Sequence, residues 1–134
     1  MRATNSRFTK EIARILYLFY NIKQMKASQD PLGSLEHIVL LAVMRFDSKA
    51  YGMTVRREIE SATGRDISIG AVYATLGRLE SKRLIRSYAG EPTAERGGRA
   101  KRYFDMTAEG KAALRNTHDV ILKMSAGLKG LQEA

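Results

Sequence analysis

The 134-residue sequence has no cysteine and no tryptophan, and only two prolines and two histidines. Without cysteine, disulfides and thiolate metal sites are excluded. Without tryptophan there is no indole to stack on a planar ligand. Long apolar runs are missing too: the longest uncharged stretch of the amino-terminal arm, Ile15 to Ile22, is eight residues, against about 20 for a membrane-spanning helix. Lys10, Glu11 and Arg14 interrupt what could have been a signal-peptide core. No glycine-rich loop fits a nucleotide fingerprint, because Gly97-Gly98 falls between two expected strands rather than ahead of a helix. His37 lies on an apolar helix and His118 near the carboxy-terminal seam, and both are read as structural. The expectations are therefore no enzyme, no cofactor, no metal, no membrane, and a cytoplasmic protein.

The residues that are present outline a small basic domain. With 44% apolar residues the chain can bury a core. The net charge of +9 is unevenly placed: residues 1–30 carry +4 and residues 68–104 carry +5, while the two remaining stretches are neutral. A concentrated patch attracts a polyanion more strongly than the same charge spread out.

Periodicity gives the helices. Phe8, Ile12, Ile15, Phe19 and Ile22 form a heptad seam on a helix of roughly Ser6 to Ala27, closed by Asp30-Pro31. Its aromatic residues Phe8, Tyr17, Phe19 and Tyr20 are read as packing residues, with a ligand cavity between subunits or a lipid-lying face as alternatives; a natural start at Met25 also stays open. Ser34 is the expected N-cap of a strongly apolar helix reaching Phe46, with Leu35, Ile38, Val39, Leu41, Ala42 and Met44 inward. A further helix begins near Gly52, with Met53, Val55, Ile59 and Ala62 inward and Gly64 after its end. Thr107 caps the last helix, along which Leu114, Thr117, Ile121, Met124, Leu128 and Leu131 keep heptad spacing, with Gly127 and Gly130 weakening its last turns. A seam of this kind needs a partner helix.

The stretch from Ser68 to Thr107 carries the chemistry. Ser68 caps a helix whose Val72, Leu76 and Leu79 share one face, while Gly70, Ala71, Ala74, Arg78 and Ser81 lie roughly opposite. A face of small residues around one arginine suits close approach to base-pair edges: Arg78 toward guanine or phosphate, the alanines toward thymine methyls. Tyr73 stands at the side of the core stripe, and the helix amino end around Ser68 and Gly70 suits a phosphate. Leu84 to Ala89 and Arg99 to Met106 read as a hairpin with a flexible tip marked by Gly90-Glu91-Pro92 and Gly97-Gly98. Arg96, Arg99, Lys101 and Arg102 surround that tip, as phosphate contact requires. Helix followed by basic hairpin is the order of a helix and a wing.

From Leu32 to Leu114, about 80 of 134 residues, the chain resembles the PadR family of bacterial winged-helix transcription regulators. The likeness rests on Leu32-Gly33-Ser34-Leu35-Glu36 and on Ala50-Tyr51-Gly52. It continues through Ser68-Ile69-Gly70-Ala71-Val72-Tyr73, Leu76, Arg78-Leu79-Glu80 and Leu84-Ile85. Gly98-Arg99, Lys101, Tyr103, Thr107 and Glu109-Gly110 complete it. The resemblance implies a homodimer held by the terminal helices, repression at an operator with two half-sites, and in some members release by a small, often aromatic, effector. Two positions depart from the family pattern. Gly77 stands where a basic residue is common, and Arg83 stands where a glycine usually ends the helix.

The expected fold is mostly α with one small β-hairpin. An amphipathic arm (1–30) precedes a winged helix-turn-helix (31–107), and a dimerisation helix (108–134) follows. The expected partners are double-stranded DNA and a second copy. The dimer is assigned to Leu114, Ile121, Met124, Leu128 and Leu131 with Phe8, Ile12, Ile15 and Phe19. The competing reading is a dimeric adaptor whose basic wing binds an acidic partner without regard to DNA sequence.

Overall fold

A computed structural model of the chain describes residues 7–19, 31–92 and 100–132. Contacts divide it at Asp30/Pro31 into two units. In the first, residues 7–19 form helix α1, and Phe8, Ile12, Ile15 and Phe19 are exposed along it. Tyr20, Ile22 and Met25 lie outside the described residues.

In the second unit, α2 (Ser34–Arg45), α3 (Gly52–Thr63) and α4 (Ile69–Ser81) precede an antiparallel hairpin of β1 (Ile85–Pro92) and β2 (Ala100–Met106); α5 (Ala108–Ser125) and a short α6 (Lys129–Gln132) follow. One core unites them. Val39, Leu40 and Val43 of α2 meet Val55 and Ile59 of α3 and Val72, Leu76 and Leu79 of α4, with Ile85, Phe104 and Leu114 closing the sides. The hairpin alternates as a half-buried ladder should. Ile85 and Phe104 face the core, while Arg86, opposite Asp105, and Tyr88, opposite Tyr103, face away. A further bridge, from the Phe104 N–H to the Ala50 carbonyl at 2.8 Å, ties the hairpin to the entry of α3.

Several local expectations fail for identifiable reasons. Ser34 is the first residue of α2, and Gly33 (φ −58°, ψ 154°) is its N-cap, with no side-chain cap bond. A residue that already has helical dihedrals cannot cap its own helix. Leu41 and Met44 are 43% and 54% exposed, because α3, α4 and α5 cover the flank of α2 that carries Val39, Leu40 and Val43. Ala62 is exposed near the end of α3, where Gly64 terminates the helix at φ 71°. Gly90-Glu91-Pro92 belongs to β1 rather than to the tip; the register shifts between Ala89 and Pro92, which is the mark of a bulge. Gly90 is needed there, since a Cβ would strike the Tyr103 ring. Arg96, Gly97, Gly98 and Arg99 lie outside the described residues.

The carboxy-terminal seam is not carried by one helix. Helix α5 stops at Ser125, Ala126 is extended (φ −59°, ψ 133°), and Gly127 takes φ 77° before α6 begins. Leu128 and Leu131 therefore fall off the line of Ile121 and Met124. At its other end, α5 is docked on its own chain. Leu114 is 6% exposed, and the Thr117 hydroxyl accepts the Leu32 N–H at 3.0 Å. Leu114 consequently has almost no surface left for a second copy. Thr107 caps α5 as expected, accepting the Gly110 N–H at 3.0 Å.

Arg83, the residue found in place of the usual glycine, adopts φ 61°. Its N–H bonds to the Glu80 carbonyl at 2.9 Å, and the Leu84 N–H bonds to the Leu79 carbonyl at 3.0 Å, so α4 ends in the same type of turn a glycine would give. The left-handed region costs a side-chain-bearing residue about 1–2 kcal/mol, partly offset by the greater chain entropy of an unfolded glycine. Arg83→Gly is expected to raise stability by roughly 0.5–1 kcal/mol, read as a higher urea midpoint at unchanged m-value. An unchanged or lower midpoint contradicts a strained turn.

Candidate nucleic-acid interface

Helix α4 starts where the Ser68 hydroxyl accepts the Ala71 N–H at 3.1 Å. Val72, Thr75, Leu76 and Leu79 are fully buried on one side. On the other side Gly70, Ala74, Gly77, Arg78 and Ser81 are exposed. Nothing lies within 4 Å of the place where a Cβ would stand on Gly70 or Gly77. The result is a smooth helical ridge carrying one long cation. Ala71 is only partly exposed, and its carbonyl accepts the Thr75 hydroxyl at 2.8 Å, so it sits at the edge of that ridge.

Tyr73 is 49% exposed and covers the first turn of α3. Gly52 is buried beneath it, and a Cβ there would collide with the ring and hydroxyl of Tyr73. The glycine sets how closely α3 and α4 approach.

Arg78 is held from two sides. Its Nη2 donates to the Thr75 hydroxyl at 3.1 Å, and its Nε lies 3.7 Å from Oε1 of Glu36. The same carboxylate receives Lys82 Nζ at 3.0 and 2.8 Å. Further along α4, Glu80 joins the helix to the hairpin. It accepts Arg102 Nη2 at 3.0 Å and the Ser87 hydroxyl at 2.6 Å, while Arg102 Nη2 also reaches Ser87 Oγ at 2.7 Å. Arg102, expected among the phosphate contacts, is thus engaged within the protein, with 62% of its side chain exposed.

The outer face of the hairpin base carries an aromatic cluster. Tyr88 and Tyr103 stack with centroids 5.6 Å apart, and Tyr51 meets Tyr103 edge-on at 5.8 Å. Lys101 Nζ stands 4.6 Å from the centre of the Tyr51 ring, and the Tyr88 hydroxyl donates to the Ser48 carbonyl. Beside it, Arg86 bonds to Asp105 at 3.1 Å. That bond above all, with lesser help from Ser48 and the Met106 backbone, holds the Asp105 carboxyl below its usual range against the opposing effect of burial.

A cavity of about 350 Å³ is lined by His37, Leu41 and Met44 of α2 and by Lys111, Leu114, Arg115 and His118 of α5. Burial, and next to it the charge of His118, lowers the pKa of His37. None of the residues lining the cavity is acidic. Among the described residues no cluster could hold a metal ion, and no helix is long and apolar enough to cross a membrane.

The sequence pattern named the α4 ridge but gave no role to Glu36, which holds Arg78 and Lys82, or to Glu80, which holds Arg102. Those pairs join residues far apart in the chain, and the one local signal was an acidic group in the first turn of an apolar helix.

Comparison with known proteins adds a family. Residues 40–116 match the model of the transcriptional regulator PadR-like family. The chain is 34% identical over 84 residues to an uncharacterised protein of Lysinibacillus sphaericus, covering 61% of this chain and 72% of that one. Its fold resembles that of a PadR family transcription regulator from Clostridium difficile R20291, with TM-score 0.58 and 25% identity over 69% of this chain and 95% of that one. A PadR-like transcriptional regulator from Bacillus cereus gives TM-score 0.59 at 19% identity over 75% and 92%.

The contact between Gly52 and Tyr73 makes a checkable statement about the ridge. Gly52→Ala overpacks the α3–α4 contact and is expected to cost about 1–3 kcal/mol. Most of that cost should vanish in a Tyr73→Ala background, as urea denaturation of the four-member cycle would show. Additive costs would mean that the ring is not what limits the approach.

Proposed function

This chain belongs to the PadR-like family of transcriptional regulators, and on that premise we propose that it represses transcription by binding a pseudo-palindromic operator as a homodimer. The observation that carries the proposal is the bare side of α4: Gly70, Ala74, Gly77 and Ser81 leave the helix backbone open to a groove around the single cation Arg78. A helix that had only to cover a core would have no use for so bare an outer side. In this reading Arg78 addresses a base edge, with Ala71 and Ala74 against thymine methyls, and Ser68 and Gly70 present the helix amino end to a phosphate. Tyr73 flanks the ridge. Arg96, Gly97, Gly98, Arg99 and Lys101 serve the neighbouring backbone, where charge matters and sequence does not. The Arg102 guanidinium fixes the wing to α4 through Glu80 and keeps part of its surface for phosphate.

The second copy is proposed to cover apolar groups that this chain leaves bare. Ile121, Met124, Leu128 and Leu131 are exposed on α5, α6 and the turn between them, and Phe8, Ile12, Ile15 and Phe19 on α1. A two-fold axis through such a bundle would place the two α4 ridges about 34–36 Å apart, one turn of DNA.

Binding to a duplex selected from random DNA, and to a scrambled duplex of the same composition, tests this reading at several salt concentrations. The selected duplex should bind at least about 10³-fold more tightly, with a log–log salt slope of roughly −0.9 per phosphate neutralised. Arg78→Ala should erode the preference, whereas Arg99→Ala should flatten the slope by about one phosphate. The free protein should sediment as a dimer at micromolar concentration. Equal affinity for both duplexes would favour the adaptor reading, and a monomer would remove the two-half-site operator.

The effector that the family resemblance implies is assigned to the cavity between α2 and α5. Its apolar floor of Leu41, Met44 and Leu114 and its rim of Lys111 and Arg115 suit an aromatic acid. Aryl carboxylates at millimolar concentration should raise the melting temperature of the wild type and not of Leu41→Glu. A panel that shifts neither would remove the effector from the proposal.

A further inference from the structure

Glu36 enters the sequence pattern only as part of the family likeness and has no place among the proposed DNA contacts, yet it is the most shielded acidic group next to the α4 ridge. Only 12% of its side chain is exposed, against 55% for Arg78 and 54% for Lys82. Both of its oxygens are occupied by Lys82 Nζ, at 3.0 and 2.8 Å, and Oε1 also lies 3.7 Å from Arg78 Nε. Arg78 is further restrained by Thr75, which is wholly buried and whose hydroxyl is itself anchored on the Ala71 carbonyl at 2.8 Å. A guanidinium carries five N–H donors in one plane. Here Nε lies at ion-pair distance from Glu36, 3.7 Å, and one Nη2 hydrogen is given to Thr75. Nη1 and the second Nη2 hydrogen remain for an outside acceptor.

We propose that Glu36 is a positioning residue for DNA selectivity, fixing the Arg78 fork for a base edge while withholding Lys82 from the phosphates. The proposal rests on the DNA-binding reading above and adds to it a residue that touches no DNA. Two consequences follow from elementary electrostatics. An unrestrained Arg78 would settle on whichever phosphate lies nearest, which strengthens binding to any sequence and discriminates none. An unpaired Lys82 would add a further sequence-blind contact. With Glu36 in place the three side chains together carry one positive charge instead of two, and the one guanidinium edge still open is the edge suited to planar, bidentate recognition.

The test uses the full chain, a duplex selected from random DNA by the wild type, and a scrambled duplex. Glu36→Gln keeps the shape and removes the charge. It is expected to tighten binding to the scrambled duplex, to steepen its log–log salt slope by about 0.9, one phosphate, and to lower the selected-to-scrambled ratio about tenfold, the scale of one base-edge contact. In an Arg78→Ala background the same change should leave the ratio untouched. Weakening of both duplexes by one common factor at constant slope overturns the proposal and marks Glu36 as merely structural. A wild type that shows no preference defeats the DNA reading itself; a selective wild type with an unaltered ratio in Glu36→Gln defeats this proposal alone. Should Glu36→Gln fail to fold, nuclear magnetic resonance of the free wild type decides. The Arg78 Nε–H signal should exchange with water more slowly than that of exposed Arg83, and equal exchange overturns the proposal.

Discussion

The exposed ridge of α4 hangs on the burial of one line of the same helix. Val72, Thr75, Leu76 and Leu79 are wholly removed from solvent, and each apolar side chain so buried contributes about 1.5–3 kcal/mol. That one line anchors the helix on α2 and α3 and leaves its opposite side free of any packing duty. Only a helix fixed so firmly from behind can afford glycine at positions 70 and 77, each costing about 1 kcal/mol of helix propensity. Thr75 is the polar member of the buried line, and its hydroxyl is satisfied within the helix by the Ala71 carbonyl. It spends its remaining capacity on Arg78, so the core reaches through the helix to its outer cation.

The charge map read from the sequence changes meaning once side chains are placed. Residues 68–104 carry eight cations, but Arg78 and Lys82 meet Glu36, Arg86 meets Asp105 and Arg102 meets Glu80. Exposed pairs of this kind contribute little stability, about 0–1 kcal/mol each. Their effect is on geometry and on the free positive field. Of the cations described in that stretch, Arg83 alone has neither an ion pair nor an aromatic face, since Lys101 lies over Tyr51. A net charge counted along a segment ignores partners contributed by other segments. The local excess at 68–104 therefore overstates how much charge is free at the described surface.

Much of the architecture was legible because it is written locally. The core stripe of α4, the caps at Ser68 and Thr107, the helix end at Gly64 and the two strands of the hairpin each follow from a few neighbouring residues. The failures share a different cause. Leu41 and Met44 belong to an apolar helix whose burial depends on how many neighbours arrive, and an apolar pattern cannot say on which flank they will stop. The seam from Leu114 to Leu131 counts correctly in sevens, but Gly127 at φ 77° ends the helix that would have carried it. Spacing records only where side chains would fall if the backbone continued. Glu36 and Glu80 were invisible for the same reason as the free charge: their partners arrive through the fold.

These constraints divide the labour between the two ends of the domain. Helix α4 is tied to α2 through Glu36 and to the hairpin through Glu80, and Thr107 ties the start of α5 to the Leu84 carbonyl at 2.9 Å. The ridge, the wing base and the root of α5 are therefore cross-linked by side chains as well as by the core. Among the described residues, the distal half of α5 shows no such tie. Its Ile121 and Met124 are bare, and the chain breaks direction just beyond them. In the dimer proposed above, a change in the separation of the two ridges would arise in that distal half. The ridge is tied on several sides to the core, and the apolar groups left bare on α5 lie beyond those ties.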